Sequence, residues 1–152
     1  MNIRRALQGL AAATSVAAVS LLGASPASAY PNWQTVGSTN SNWHCGTTKH
    51  HPASDNVNMR MCIVMNASKE AQAVLVVVNH ASVAVKIEAP GIHTTWGAGG
   101  SCNEYRLASG VQRACFTNTW PLDCSQDNTY AVEYLKMNGF TGSVSHRVTT
   151  PC

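Results

Sequence analysis

The densest run of chemistry-bearing side chains is His44-Cys45 followed by His50-His51. Two or three imidazoles can hold a transition metal or relay a proton. Asp55 is the only carboxylate close by in sequence, and an oxidised Cys45 would supply no thiolate. The competing reading is a solvated loop before Pro52. A second stretch, Pro90 to Gly100 (PGIHTTWGAGG), sets one large aromatic among glycines and threonines. Long glycine-hinged loops are where binding residues tend to sit. Trp96, with His93, Thr94 and Thr95, is therefore the candidate binding group. Its ring would stack on a sugar or anchor a protein partner. The alternative is that Trp96 folds back as a lid on the body of the protein.

The carboxylates are Asp55, Glu70, Glu88, Glu104, Asp123, Asp127 and Glu133. Glycoside hydrolysis needs two of them facing one bond. These are expected in turns or on the polar side of strands, with Glu104 and Arg106, and Glu88 and Lys69, as ion pairs. There is no Gly-x-Ser-x-Gly elbow, no His-Glu-x-x-His or His-x-x-x-His zinc motif, and no phosphate-binding glycine loop before a helix. The sequence points away from an enzyme and names no cofactor.

The ends and the cysteines bound the setting. Arg4 and Arg5 precede an Ala-rich apolar run, Leu10 to Leu22, and Ala27-Ser28-Ala29 closes it with small residues. That is the pattern of a secretory signal cut before Tyr30. The run is too short and too interrupted for a membrane span. Removing residues 1–29 from the 152 leaves 123, a single domain (30–152) by length. The leader holds two of the ten Lys and Arg and no acid, so the remainder carries eight cations against seven acids. A net charge of +1 gives no reason to expect nucleic acid or an anionic membrane as partner.

All six cysteines, Cys45, Cys62, Cys102, Cys115, Cys124 and Cys152, follow the leader. An even count in a short exported chain implies three disulfides. Fifteen pairings are open, and the expected one is sequential: Cys45–Cys62, Cys102–Cys115, Cys124–Cys152. With no Cys-x-x-Cys spacing, zinc thiolates are disfavoured.

The elements that must hold these groups read as strands. Val57 to Met65 alternates, with Val57, Met59, Met61, Ile63 and Met65 on one face, as core residues. Val74 to Val78 is apolar on both faces and suits a central strand. Val83, Val85 and Ile87 alternate with Ser82, Ala84, Lys86 and Glu88, so Ala71 to Pro90 is expected to be a hairpin turning at Asn79 to Ser82. Ser109-Gly110 turns into a strand over Val111 to Thr117. Thr129 to Met137 has helical and strand spacings alike. Asn138-Gly139, a strong two-residue hairpin signal, decides for a strand paired with Phe140 to Val148. About seven short strands imply an all-β, disulfide-stapled antiparallel β-sandwich, immunoglobulin-like in its order of strands.

The leader, Trp43-His44-Cys45-Gly46, the valine-rich segment and Arg113-Ala114-Cys115-Phe116 together resemble the small secreted cysteine-containing proteins of high-GC Gram-positive bacteria. The resemblance implies an extracellular location and a sandwich fold, and no functional residues. The expected function is then a non-enzymatic secreted module that binds an extracellular protein or a cell-envelope glycan through the Trp96 loop, aided by Trp33, Trp43 or Trp120. The alternative is a secreted protease inhibitor or toxin-like effector that presents Ala98 to Cys102 or Trp120 to Cys124.

Overall fold

A computed structural model describes residues 32–88 and 90–152. The expected leader and its cleavage point lie outside the described residues. The described chain forms strands β1 (Trp43–Cys45), β2 (Lys49–His51), β3 (Ser54–Met65), β4 (Glu70–Asn79), β5 (Val85–Ile87) and β6 (Gly91–Thr94). They are followed by β7 (Tyr105–Leu107), β8 (Gln112–Phe116), β9 (Trp120–Pro121), β10 (Asn128–Met137) and β11 (Phe140–Thr149). Eleven strands replace the seven expected. The additional ones are pieces of two to four residues in polar stretches without periodicity, and β3, β4, β10 and β11 are long rather than short.

All pairings are antiparallel. One sheet runs β1-β3-β4-β8, with β2 also on β3 and β9 also on β4. A second runs β11-β10-β6, and β5 pairs with β7 as a separate ribbon. The result is a two-layer antiparallel β-sandwich, as expected. The methionine face of β3 is core: Val57, Met59, Met61, Ile63 and Met65 are buried with Ala73, Leu75 and Val77 of β4. Ala131, Leu135, Met137 and Val144 join the same cluster from the second sheet. β4 is apolar on both faces because its other face, Val74 and Val76, supports a second cluster with Cys62 and Ala114. Trp43 and Phe116 pack edge to face over that cluster.

The expected hairpin over Ala71 to Pro90 does not form. β4 has no free edge, since β3 lines one side and β8 and β9 the other. Asn79 redirects the chain. Its backbone N–H donates to Val111 O and its carbonyl accepts from Gly110 N–H. Its buried side-chain amide donates to Val83 O, Leu107 O and Ala108 O, while its Oδ1 accepts from Ala81 N–H. β5 consequently lands on β7, with Lys86 opposite Arg106. The two expected ion pairs change partners as a result: Lys86 pairs with Glu104 at 2.9 Å and Lys136 with Glu88 at 3.1 Å.

The Asn138-Gly139 turn forms as the sequence requires. Both residues have positive φ, 52° and 80°, and Met137 faces Phe140 across them. The disulfides pair sequentially: Cys45–Cys62, Cys102–Cys115 and Cys124–Cys152. Cys45 and Cys62 are directly opposed on β1 and β3. Each cross-link closes a loop worth about 3 kcal/mol in the chain-entropy account. Three such bonds belong to an oxidising compartment. No helix among the described residues is long and apolar enough to cross a membrane.

Candidate functional site

Strand alternation divides the four candidate binding residues. β6 pairs with β10, so Ala131 faces Thr94 and Val132 faces His93. Thr95 extends that pairing: its N–H donates to Tyr130 O, and its Oγ1 accepts from Tyr130 N–H. His93 and Thr95 therefore point outward, and Thr94 and Trp96 point inward. Trp96 is 4% exposed, and its indole N–H donates to Ala71 O. The expectation of an exposed Trp96 on a long free loop is corrected here. Four residues of the stretch, Gly91 to Thr94, are β6, and Gly100 bridges back to Ile92, which closes the rest against the sheet. Trp96 is the lid, and its indole N–H anchors it to the backbone of β4.

The other tryptophans divide in a similar way. Trp33 is buried and donates to Asn103 O at 2.7 Å. Trp43 is half-buried against Phe116. Trp120 is 54% exposed beside Gly97, away from the outward face of β6. The stretches offered for protease inhibition are tied down. Ala98 is buried, and Trp120–Pro121 is paired to β4.

The histidine-dense stretch is also sorted by the fold. His51 is buried; Ala53 N–H donates to its Nδ1, so Nε2 carries the proton that bonds Leu135 O at 3.0 Å. It is a structural cross-link between sheets. His50 is exposed on β2. His44 projects toward His146 of β11, whose imidazole is held below its ordinary value first by burial and then by the charge of His44. Among the described residues no group of three His, Cys, Asp or Glu is placed to hold a metal ion.

The outward face of the second sheet holds a better-built site. Tyr130 and Arg147 are cross-strand partners on β10 and β11. The Arg147 guanidinium lies 5.4 Å from the Tyr130 ring centre, a cation–π contact. Depressions flank this pair on both sides. One, of about 300 Å³, is lined by Thr95, Gln126, Asp127, Asn128, Tyr130 and Arg147. The other, of about 370 Å³, lies between β11 and the β1–β2 loop, where Thr47 and Lys49 face Tyr130, Ser145, His146 and Arg147. Gly46 builds that second wall. A Cβ there would sit 3.0 Å from His146 Nδ1 and 3.1 Å from Ser145 O, so a larger residue would make the loop or β11 give way. Further along the same face, His93 stacks edge to face on Tyr134, at 6.0 Å between ring centres.

Charge is segregated in a way that the near-neutral total conceals. Glu88 and Glu104 are paired with lysines, Glu70 is bonded by Asn66, Asp123 is bonded by Ser125, and Glu133 is inside the core. Among the described residues neither Arg147 nor Lys49 forms an ion pair. A depression of about 500 Å³ beside the β5–β7 ribbon contrasts with this: its Lys86 and Glu104 neutralise each other.

No protein-family model matches the chain, and no curated protein matches it by sequence. Among solved structures it is similar to the GAE domain of GGA2p from Saccharomyces cerevisiae. That match has 9% identity and a TM-score of 0.30, over 69% of this chain and 98% of that one. It is also similar to the yeast GGA1 GAE domain, at 10% identity and a TM-score of 0.29, over 67% of this chain and 98% of that one. A likeness at this level assigns no role to any residue here.

The site was missed in the sequence because its walls come from Thr47 and Lys49, Thr95, Asp127 to Tyr130, and Ser145 to Arg147. No local motif joins them. One signal was available: the Asn138-Gly139 turn fixes the register, and counting seven residues outward from Met137 and from Phe140 sets Tyr130 opposite Arg147.

Proposed function

We propose that the protein is a secreted, non-enzymatic extracellular binding module. Its ligand is a cell-envelope glycan or an extracellular protein, held on the outward face of the β11-β10-β6 sheet. Secretion is supported by the leader pattern and by three disulfides. The observation that carries the binding reading is the Arg147 guanidinium, unpaired by any carboxylate and stacked on Tyr130 between two depressions. Stacking fixes a long side chain that would otherwise lose rotamer freedom on binding, which lowers the cost of association. Tyr130 is held in turn by its backbone bonds to Thr95.

The test is retention of the purified, oxidised protein on isolated cell envelope and on insoluble polysaccharides. Wild type is compared with Tyr130→Ala, Arg147→Ala and, as a control away from the site, Trp120→Ala. The proposal expects retention that both face variants lose and the control keeps. Retention that the control alone loses would move the site, and retention by none would remove the binding reading.

A further inference from the structure

We propose that the ligand is an extended acidic polysaccharide that crosses the Tyr130–Arg147 ridge and sets its anionic group in the depression bounded by Lys49, His146 and Arg147. This rests on the binding reading above and specifies its chemistry. The two depressions adjoin through Tyr130 and Arg147, which line both. Together they form a trough rather than a closed pocket, which suits a chain lying across the sheet.

The walls differ in charge. On the β1–β2 side Lys49 and Arg147 are fixed cations with no carboxylate among the lining residues. On the other side Asp127 stands beside Arg147 among neutral Thr95, Gln126 and Asn128. An anion is favoured at the first and opposed by Asp127 at the second, so acidic units should alternate with neutral, hydroxyl-bearing ones. Thr47, Ser145, Thr95, Asn128 and Gln126 supply the short donors and acceptors that hydroxyl groups need. Arg147 offers a planar fork that can meet a carboxylate or a phosphate with two hydrogen bonds. The anion can be either group, since a uronate and a phosphodiester share that chemistry.

Protonation adds to the cationic wall. His146 lies opposite Ala131 of β10, so along β11 it alternates in face with Ser145 and Arg147. His44 on β1 acts on it by charge, and the titratable or charged groups that line the same depression are Lys49 on β2, Tyr130 on β10 and Arg147 on β11. With its imidazole held below the ordinary value, His146 is uncharged at neutral pH and gains its proton as the medium acidifies. Anion affinity should therefore rise on mild acidification.

The experiment is a calorimetric titration of the purified, oxidised protein with soluble polygalacturonate, with a glycerol-phosphate polymer and with neutral dextran. Each is run at low and high salt, with Arg147→Ala, Arg147→Lys, Lys49→Ala and Gly46→Ala beside wild type. Thermal melts confirm that each variant folds. The proposal expects one or both acidic polymers to bind and dextran not to, with affinity falling as salt rises. Lys49→Ala and Arg147→Ala should each weaken binding about tenfold, and Arg147→Lys should restore part of it. The polymer that binds identifies the anion as carboxylate or phosphate. Equal, salt-insensitive binding of dextran would overturn the acidic ligand and leave a binding module for neutral glycans. Binding to none of the polymers, with retention on whole envelope intact, would overturn it in favour of a protein ligand. Loss of both would remove the underlying reading as well.

Discussion

Glu133 is a carboxylic acid in the centre of the sandwich, and removing it should stabilise the protein. It sits on the core face of β10 between Ala131 and Leu135, opposite Ile92 on β6 and Val144 on β11. It is 0% exposed, and neither carboxyl oxygen has a hydrogen-bond partner. Burial raises its pKa well above the ordinary 4.5. A buried polar group without partners costs about 1–3 kcal/mol. Glu133→Leu removes that cost at similar volume and should raise the melting temperature by roughly 4 °C per kcal/mol gained. The pH dependence follows from linkage. Above pH 4.5 the unfolded chain gives up this proton and the folded chain keeps it. The unfolded state then binds fewer protons, so stability is fullest below 4.5 and declines as pH rises toward the elevated folded value. The slope in that window is up to about 1.4 kcal/mol per pH unit. Urea unfolding at stepped pH, followed by tryptophan fluorescence, reads it directly. Glu133→Gln separates the two effects: the amide keeps the buried polar cost but should abolish this part of the slope. A Leu variant less stable than wild type at pH 7, or slopes identical in all three proteins, would refute the reasoning.

Three other outcomes follow from the packing. Trp96→Ala should cost about 3–5 kcal/mol, because it empties a core position and removes the indole bond to Ala71 O, whereas Trp120→Ala should change stability by about 0.5 kcal/mol or less; chemical denaturation compares them. Asn79→Ala removes the amide that donates to the carbonyls of Val83, Leu107 and Ala108, of which Ala108 O keeps Val111 N–H, and should cost about 2 kcal/mol or more, with hydrogen exchange accelerated at Val85 to Ile87 ahead of the rest. Mild reductant should open Cys124–Cys152, whose cysteines are exposed, before Cys102–Cys115, which is buried, as peptide mapping after alkylation would record.

What could be read ahead of the structure was local. The alternation of Val57 to Met65 marks a core strand because one face meets the other sheet along its whole length. Asn138-Gly139 marks a hairpin because both residues accept positive φ, and the turn then fixes ten cross-strand pairs. The partner of Val85 to Ile87 was not legible. It depends on which edges of β4 are occupied: β3 takes one, and β8 and β9, from more than thirty residues downstream, take the other. Trp96 carried two roles that sequence spacing cannot separate; the fold decides between them by seating its ring in the core with the indole N–H on Ala71 O. Glu133 was legible in principle, since it shares a period with Ala131 and Leu135, but a carboxylate is ordinarily assigned to solvent. The cationic trough was hidden by the net charge, which sums over pairs that the fold keeps apart.

The most direct test of the binding face is an amide-resolved NMR titration of the oxidised protein with soluble fragments of cell envelope. The account predicts shifts concentrated at Thr47 to Lys49, Thr95, Tyr130 and Ser145 to Arg147. Shifts confined to the β5–β7 ribbon around Val83 to Lys86, or to the Trp43–Phe116 face, with the trough silent, would contradict it.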